Sequence, residues 1–295
     1  MRQMSVAEQR YQAIQAVVAR GRAVTEVAGE WRVSRQGLPR LQYPGARHEL
    51  AGRAVTEVAI PSPRGRLPGY LATPSVPGPW PGVVVVFDAG GMTQDTRNQA
   101  DWLAGQGYLA LAPDLYRAGS RLRGVGRVLG DMLARRGRSF RDLDASRAWL
   151  GRSDGCTGRV GVIGFCMGGG LAMALAVGHG FAAASVNYGG PPPRHAERSM
   201  AAACPIVASY GGRDHSQRNA AARLERALTA CGVAHDVKEY PDAGHSFLND
   251  HEGAGDRMPW TPAFLERWIG YGYHQTSAQD ARRRIIAFFD RHLKT

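Results

Sequence analysis

Apolar and polar positions along the chain follow two periods from residue 53 onward. Ala54 to Ile60 and Leu67 to Ala72 read as a strand hairpin around Pro63-Arg64-Gly65. After the Pro/Gly-rich stretch Thr73 to Pro81 comes the unbroken run Val83-Val84-Val85-Val86-Phe87. A run apolar on both alternating faces suits a strand inside a parallel sheet, covered on both sides. Further strands are predicted at Tyr108–Ala112, Val160–Gly164, Ala182–Val186, Pro205–Tyr210 and His235–Tyr240. Helical spacing occupies Gln94–Gly105, Phe140–Gly151, Met167–Val177 and Ser216–Cys231, and a long helix over Ala278–His292 ends the pattern. Alternating strands and helices predict an α/β fold, a mostly parallel twisted sheet with helices on both faces. Ligands in such sheets bind beyond the carboxyl ends of the strands.

The first fifty residues follow a different rule. Tyr11, Ile14, Val17 and Val18 keep helical spacing, Thr25 can cap a short helix over Glu26–Arg32, and Ser34 a third beginning at Arg35. The stretch Arg10 to Leu41 resembles the N-terminal helix-turn-helix of insertion-sequence transposases, in Val24-Thr25-Glu26-Val27-Ala28 and Val33-Ser34-Arg35-Gln36. Gly37 and Pro39 fall inside what would be its recognition helix, where proline removes a donor and clashes with the preceding turn. Gly21 to Ala28 recurs letter for letter as Gly52 to Ala59, and two copies make no solenoid. The chain is therefore divided into a basic helical leader, 1–50, read as vestigial or poorly ordered, and one domain, 51–295.

Composition changes this picture little. The net charge is +12, yet only two of 37 basic residues are lysines (Lys238 and Lys294). An arginine excess beside abundant Ala and Gly reads as codon composition more than as a nucleic-acid surface, so nucleic acid is not the expected partner. Residues 1–66 hold eleven Arg against five Glu, half the total net charge, and that asymmetry is what keeps a DNA-associated alternative open. No apolar run approaches the roughly 20 residues of a spanning helix, and Met1 to Arg10 lacks the apolar core of a secretory signal. Cys156, Cys166, Cys204 and Cys231 form no C-x-x-C pair and no zinc pattern, which favours free thiols, a cytoplasmic location and no metal.

The sharpest chemical signal is Val160-Gly161-Val162-Ile163-Gly164-Phe165-Cys166-Met167-Gly168-Gly169-Gly170. An apolar strand, Gly-x-Cys-x-Gly and a small-residue helix make a nucleophile elbow with cysteine in the serine position. A side chain at the tip of a strand-to-helix turn needs strained dihedrals, and glycines two before and two after let the backbones approach. The same turn places the Met167 N–H at a helix N-terminus, where it can stabilise a thiolate or a developing oxyanion. The competing reading makes Cys166 an inert buried thiol among packing glycines.

Two partners weigh against that. Asp214 follows the apolar strand Ile206 to Tyr210, and His245 follows Tyr240-Pro241-Asp242-Ala243-Gly244. Nucleophile, acid, base is the chain order of the nucleophile-elbow hydrolases. Asp214 can hold one ring nitrogen of His245, leaving the other for the thiol proton.

With these motifs in hand, residues 53–293 resemble the dienelactone hydrolase family of α/β-hydrolases. The resemblance rests on Gly164 to Gly169, on Gly107-Tyr108 with Ala112-Pro113-Asp114-Leu115-Tyr116, and on Gly244-His245-Ser246-Phe247. It implies Cys166 as nucleophile, His245 as base, Asp214 as its orienting acid, and the Ala89 N–H as a second oxyanion donor beside Met167. It also implies a resting contact between Cys166 and the acidic residue after the strand at Val83 to Phe87, here Asp88 where glutamate is typical. Dienelactone-cleaving members carry a carboxylate-gripping arginine four residues after the histidine; Asn249 stands there in this chain, which argues against authentic dienelactone as substrate.

Two further groups invite an assignment. The aromatic stretch Asp250 to His274, with Trp260, Phe264, Trp268, Tyr271 and Tyr273, reads as a pocket lining or as a packed surface insert. Arg117, Arg121 and Arg123 read as a solvated face, or as a binding site for an anionic substrate group. The expected activity is hydrolysis of a carboxylic ester or lactone through an acyl-cysteine, with a small-molecule partner and no cofactor. The alternative is a non-catalytic DNA-associated ligand sensor.

Overall fold

The computed structural model describes residues 55–117, 121–193, 196–256 and 269–294. The leader, with its helix-turn-helix reading, and Trp260, Phe264 and Trp268 lie outside the described residues.

The hairpin forms where alternation predicts it, β1 (Val55–Ser62) pairing antiparallel with β2 (Gly65–Ala72). The continuous valine run is β3 (Trp80–Val86), followed by helix α1 (Gln94–Gly105) and β4 (Leu109–Pro113). Helices α2 (Arg121–Ala134) and α3 (Arg138–Gly151) then lead to β5 (Cys156–Phe165) and α4 (Met167–Leu175). The remainder runs β6 (Ala184–Asn187), the short α5 (Ala196–Ser199), β7 (Ile206–Gly211), α6 (Ala220–Ala230), β8 (His235–Tyr240) and α7 (Gln275–Leu293).

The eight strands lie in one sheet in the order β1-β2-β4-β3-β5-β6-β7-β8. β2 pairs antiparallel with both β1 and β4, and every pairing from β4 across to β8 is parallel. The strand period of two explains why the valine run suits the middle of this sheet. Val84 and Val86 face a core with Leu143 and Leu150 of α3 and Leu171 of α4, while Val83 and Val85 face Leu103 of α1 and Ile285 and Phe289 of α7. Both faces are thus sealed. The functional consequence is positional: β3, β5, β6 and β7 all end on the same edge of the sheet.

The structure departs from the pattern in three places. β5 starts at Cys156, before the apolar run begins, because Cys156 pairs with Trp80 across a register shift. Asp214 caps a 3-10 turn at His215–Gln217, so α6 begins only at Ala220. Helix α2 has no counterpart among the predicted helices. Gly124, Gly126 and Gly130 weaken its helical signal, yet the buried Val128, with half-buried Val125 and Met132, packs on the core. Gly124 also serves a contact, since a Cβ there would stand 2.6 Å from the Tyr116 ring.

Arg117 takes neither role expected of it. Its side chain is 17 % exposed, and it bonds Asp142 of α3 at 2.8 Å, the Ser62 hydroxyl at 2.6 Å and the Arg66 carbonyl at 3.1 Å. It clamps the β1–β2 hairpin to α3. Among the described residues, no helix is long and apolar enough to cross a membrane, no cluster of metal-ligating side chains is found, and all four cysteines are free.

Truncating Arg117 would strand the buried Asp142 carboxylate. Arg117→Ala is expected to lower unfolding stability by about 3 kcal/mol, read from urea denaturation. Arg117→Ala with Asp142→Leu should recover most of that loss; an unchanged midpoint in the single variant would contradict the clamp.

Candidate active site

Cys166 stands between β5 and α4 with φ 54° and ψ −116°, a conformation that L-residues avoid. The glycines around it are required by contact. A Cβ on Gly164 would lie 1.9 Å from the Gly168 carbonyl oxygen, one on Gly168 2.2 Å from that of Val86, and one on Gly169 2.5 Å from that of Asn187. Backbones of β3, β5, β6 and α4 therefore meet around the cysteine with no room for side chains. The thiol itself is partly exposed rather than sealed in the core. Met167 opens α4, so its N–H belongs to the leading turn that has no intrahelical acceptor.

The three residues separated in sequence meet here. His245 Nδ1 lies 2.6 Å from Asp214 Oδ2, and Cys166 is near enough to the ring to act on its charge. Asp214 is buried, and its Oδ1 accepts from the Ser216 N–H at 3.0 Å and the Ser216 hydroxyl at 2.5 Å. Both carboxylate oxygens are therefore committed. Gln217 Nε2 comes within 3.2 Å of His245 Nδ1 but donates at 2.7 Å to the Tyr188 carbonyl. The Nδ1 proton accordingly goes to Asp214. The loop carrying the histidine is fixed from behind: His245 N–H donates to the Ile269 carbonyl, Gly272 N–H donates to the His245 carbonyl, and a Cβ on Gly244 would meet the Gly270 oxygen at 1.7 Å.

Burial alone would push the His245 imidazole down. The adjacent Cys166 charge and the hydrogen bonds to Asp214 and Cys166 outweigh it and raise the group to about 10. Both neighbours of the ring therefore favour its protonated form.

Asp88 and Ala89 follow β3 directly. The register aligns Val86 with Gly164, so Asp88 and Cys166 each stand two residues past the same rung of neighbouring strands. The Asp88 hydrogen bonds, however, run elsewhere than to a resting cysteine. Oδ1 accepts from Gly90 N–H at 2.7 Å and Oδ2 bonds His251 Nε2 at 2.7 Å. The Gly91 N–H donates to the Asp88 carbonyl at 3.2 Å, which turns the Ala89 N–H of that same trans peptide the opposite way. Tyr116 donates its hydroxyl to the Ala89 carbonyl at 3.3 Å.

Asn249 is buried and spoken for, accepting from the Tyr188 hydroxyl and donating to Asp95 Oδ2 at 2.5 Å. Tyr188, Gln217 and His251 were not legible as site residues. Tyr188 follows β6 in Asn187-Tyr188-Gly189-Gly190, a polar–aromatic break after an apolar strand that could have marked it. Its ring lies 5.2 Å from that of His245. Of the aromatic stretch, Tyr271 reaches the centre: burial, then the Asp88 charge and, more weakly, that of Cys166 push its phenol up. A sheet switching neighbours around a strained strand–helix elbow, with acid and imidazole arriving after later strands, defines an α/β-hydrolase.

The comparisons with known proteins agree and narrow it. Residues 67–293 match the family model described as "Dienelactone hydrolase family". A "Putative carboxymethylenebutenolidase" of Yersinia pestis is 29% identical over 252 residues, covering 80% of this chain and 88% of its own length. One of the same description from Methylorubrum extorquens is 31% identical over 218 residues, covering 68% and 74%. Among solved structures, the "Putative Dienelactone Hydrolase" from Klebsiella pneumoniae superimposes with a TM-score of 0.65 at 27% identity, covering 80% of this chain and 98% of that one. The chain belongs to the dienelactone hydrolase family, and it is a hydrolase of the ester and lactone class.

The raised imidazole carries a consequence for stability. An unfolded histidine titrates near ~6.5, so the native state holds this proton more tightly. The stabilisation is complete below about 6.5 and is lost as pH rises through about 10. The urea midpoint of the wild type should therefore fall between pH 7 and 10 more steeply than that of Cys166→Ser, whose hydroxyl stays neutral. Parallel profiles would contradict a contribution of Cys166 to the raised imidazole.

Proposed function

We propose that the protein hydrolyses a carboxylic ester or lactone with Cys166 as nucleophile, His245 as general base and acid, and Asp214 as the group that orients and charges the imidazole. The observation that carries this reading is the convergence of Cys166 and His245 at a strained elbow, with His245 bonded to Asp214 behind it. Substrate binds beyond the strand ends, its carbonyl carbon facing the sulfur. The thiolate adds to that carbon and the carbonyl electrons move to oxygen, which the N–H groups of Met167 and Ala89 hold. Collapse breaks the C–O bond, and the His245 imidazolium gives its proton to the departing alkoxide. An acyl-cysteine remains. His245, now neutral, takes a proton from water as the oxygen attacks the thioester; the C–S bond breaks, the acid leaves, and the thiolate–imidazolium pair is restored.

The surroundings of Asn249 favour an uncharged substrate. Where a guanidinium would grip a carboxylate, an amide already bonded to Tyr188 and Asp95 stands instead.

Kinetics with p-nitrophenyl butyrate and a panel of neutral lactones test the assignment. Cys166→Ala is expected to lower kcat/KM by about 10⁴-fold, and Asp214→Asn by about 10²-fold to 10⁴-fold through kcat. Neutral lactones should be turned over in preference to lactones bearing a free carboxylate. A Cys166→Ala protein hydrolysing at the wild-type rate would falsify the nucleophile.

A further inference from the structure

We infer that His251 is a positioning residue of this hydrolase centre: it ties the Asp88 carboxylate away from the Cys166 sulfur and, through Asp88, fixes the turn that presents the Ala89 N–H. The inference rests on the cysteine mechanism proposed above and concerns residues that mechanism leaves unassigned.

The geometry starts with an electrostatic problem. Asp88 is 3 % exposed and leaves β3 beside the strand that ends in Cys166. An unpaired buried carboxylate there would oppose formation of a thiolate next to it. Asp88 is not unpaired, because His251 Nε2 bonds it at 2.7 Å, and His251 is itself 5 % exposed. The other ring nitrogen, Nδ1, lies 3.3 Å from Asp256 Oδ2. An ionised carboxylate only accepts, so an imidazole with a carboxylate at each nitrogen satisfies both by carrying two protons. His251 is thus an imidazolium. Burial works against that charge, and the bonds to Asp88 and Asp256, with the charges of Asp88 and Asp95, outweigh it.

The same residue has a mechanical anchor. Asp256 accepts from the Gln94 N–H at 2.8 Å and the Asp95 N–H at 2.9 Å, the leading N–H groups of α1. Asp250 donates its N–H to Asp95 Oδ1 at 2.9 Å. The loop carrying His251 is therefore fastened at both ends to the start of α1, and the ring is presented to Asp88 by a fixed frame. On the far side, Asp88 Oδ1 holds the Gly90 N–H. The path runs without a gap from α1 through Asp256, His251 and Asp88 to the turn 88–91, which carries the second oxyanion donor.

A positioning role of this kind has a signature that general damage lacks. Removing His251 frees a charge, so removing the charge as well should restore function. The groups electrostatically coupled to Cys166 are His245, Tyr188 and Tyr271, with Asp88 at the neighbouring strand end; of these only Asp88 changes its pairing in the variant. In His251→Ala, the iodoacetamide alkylation rate of Cys166 at pH 7 should fall about 10-fold, and kcat for p-nitrophenyl butyrate about 10-fold to 100-fold with KM changed less than 3-fold. Adding Asp88→Asn, which keeps an acceptor for Gly90, should bring alkylation and kcat back to within about 5-fold of wild type. If the alanine variant does not fold, His251→Gln retains an N–H donor without the charge and carries the same comparison. A double variant as impaired as the single one, or a single variant with wild-type alkylation and kcat, overturns the role of His251. Wild-type turnover that survives Cys166→Ala overturns the underlying mechanism instead, so the two failures are distinguishable.

Discussion

Cys166 occupies dihedrals that cost of order 1–3 kcal/mol and persist only where the surroundings leave no alternative. Here the alternative is removed by backbone contact. Gly164 presses on the Gly168 carbonyl, Gly168 on that of Val86, and Gly169 on that of Asn187, so three strand ends and a helix N-terminus share one small volume. Everything chemical about the site follows from that crowding. The Cys166 side chain is held half-buried at the tip of the turn, the first N–H groups of α4 lie beside it, and the neighbouring strand ends deliver Asp88 and Tyr188 alongside.

The second layer of the site consists of polar groups with committed partners. Asp214 spends one oxygen on Ser216 and the other on His245, and Gln217 takes the Tyr188 carbonyl. Asn249 joins Tyr188 to Asp95, and His251 joins Asp88 to Asp256. In a buried region such a network rigidifies only when each member is satisfied. The His245 loop gains a further restraint from residues 269–272, so the end of the aromatic stretch helps to hold the imidazole in place.

How much of this was legible in the sequence depends on whether the signal was local. The strands from β3 to β7 and the helix Gln94–Gly105 were readable because burial on both sheet faces writes continuous apolar runs and regular periods; β8, half-exposed at the sheet edge, carries no such run. The elbow was readable because the contacts around Gly164 and Gly168 admit only glycine. Asp214 and His245 were found by their order after apolar strands. Helix α2 was missed since three glycines dilute its pattern while tertiary contacts hold it, as at Gly124 against Tyr116. Arg117 looked like surface charge because nothing local announces a clamp to Asp142 and to a hairpin some fifty residues earlier. His251 was passed over for the same reason: its partners, Asp88 and the start of α1, are remote in the chain. Asp88 was singled out by position, but its partner could not be read from one strand end.

The proposed mechanism passes through a covalent bond between Cys166 and the acyl half of the substrate. Intact-mass and peptide mass spectrometry after rapid acid quench during turnover of p-nitrophenyl butyrate tests it directly. The prediction is a species heavier by one butyryl group, mapped to the peptide containing Cys166 and absent in Cys166→Ser quenched at the same time. Turnover with unmodified Cys166 throughout, or acylation mapped to another residue, would contradict it.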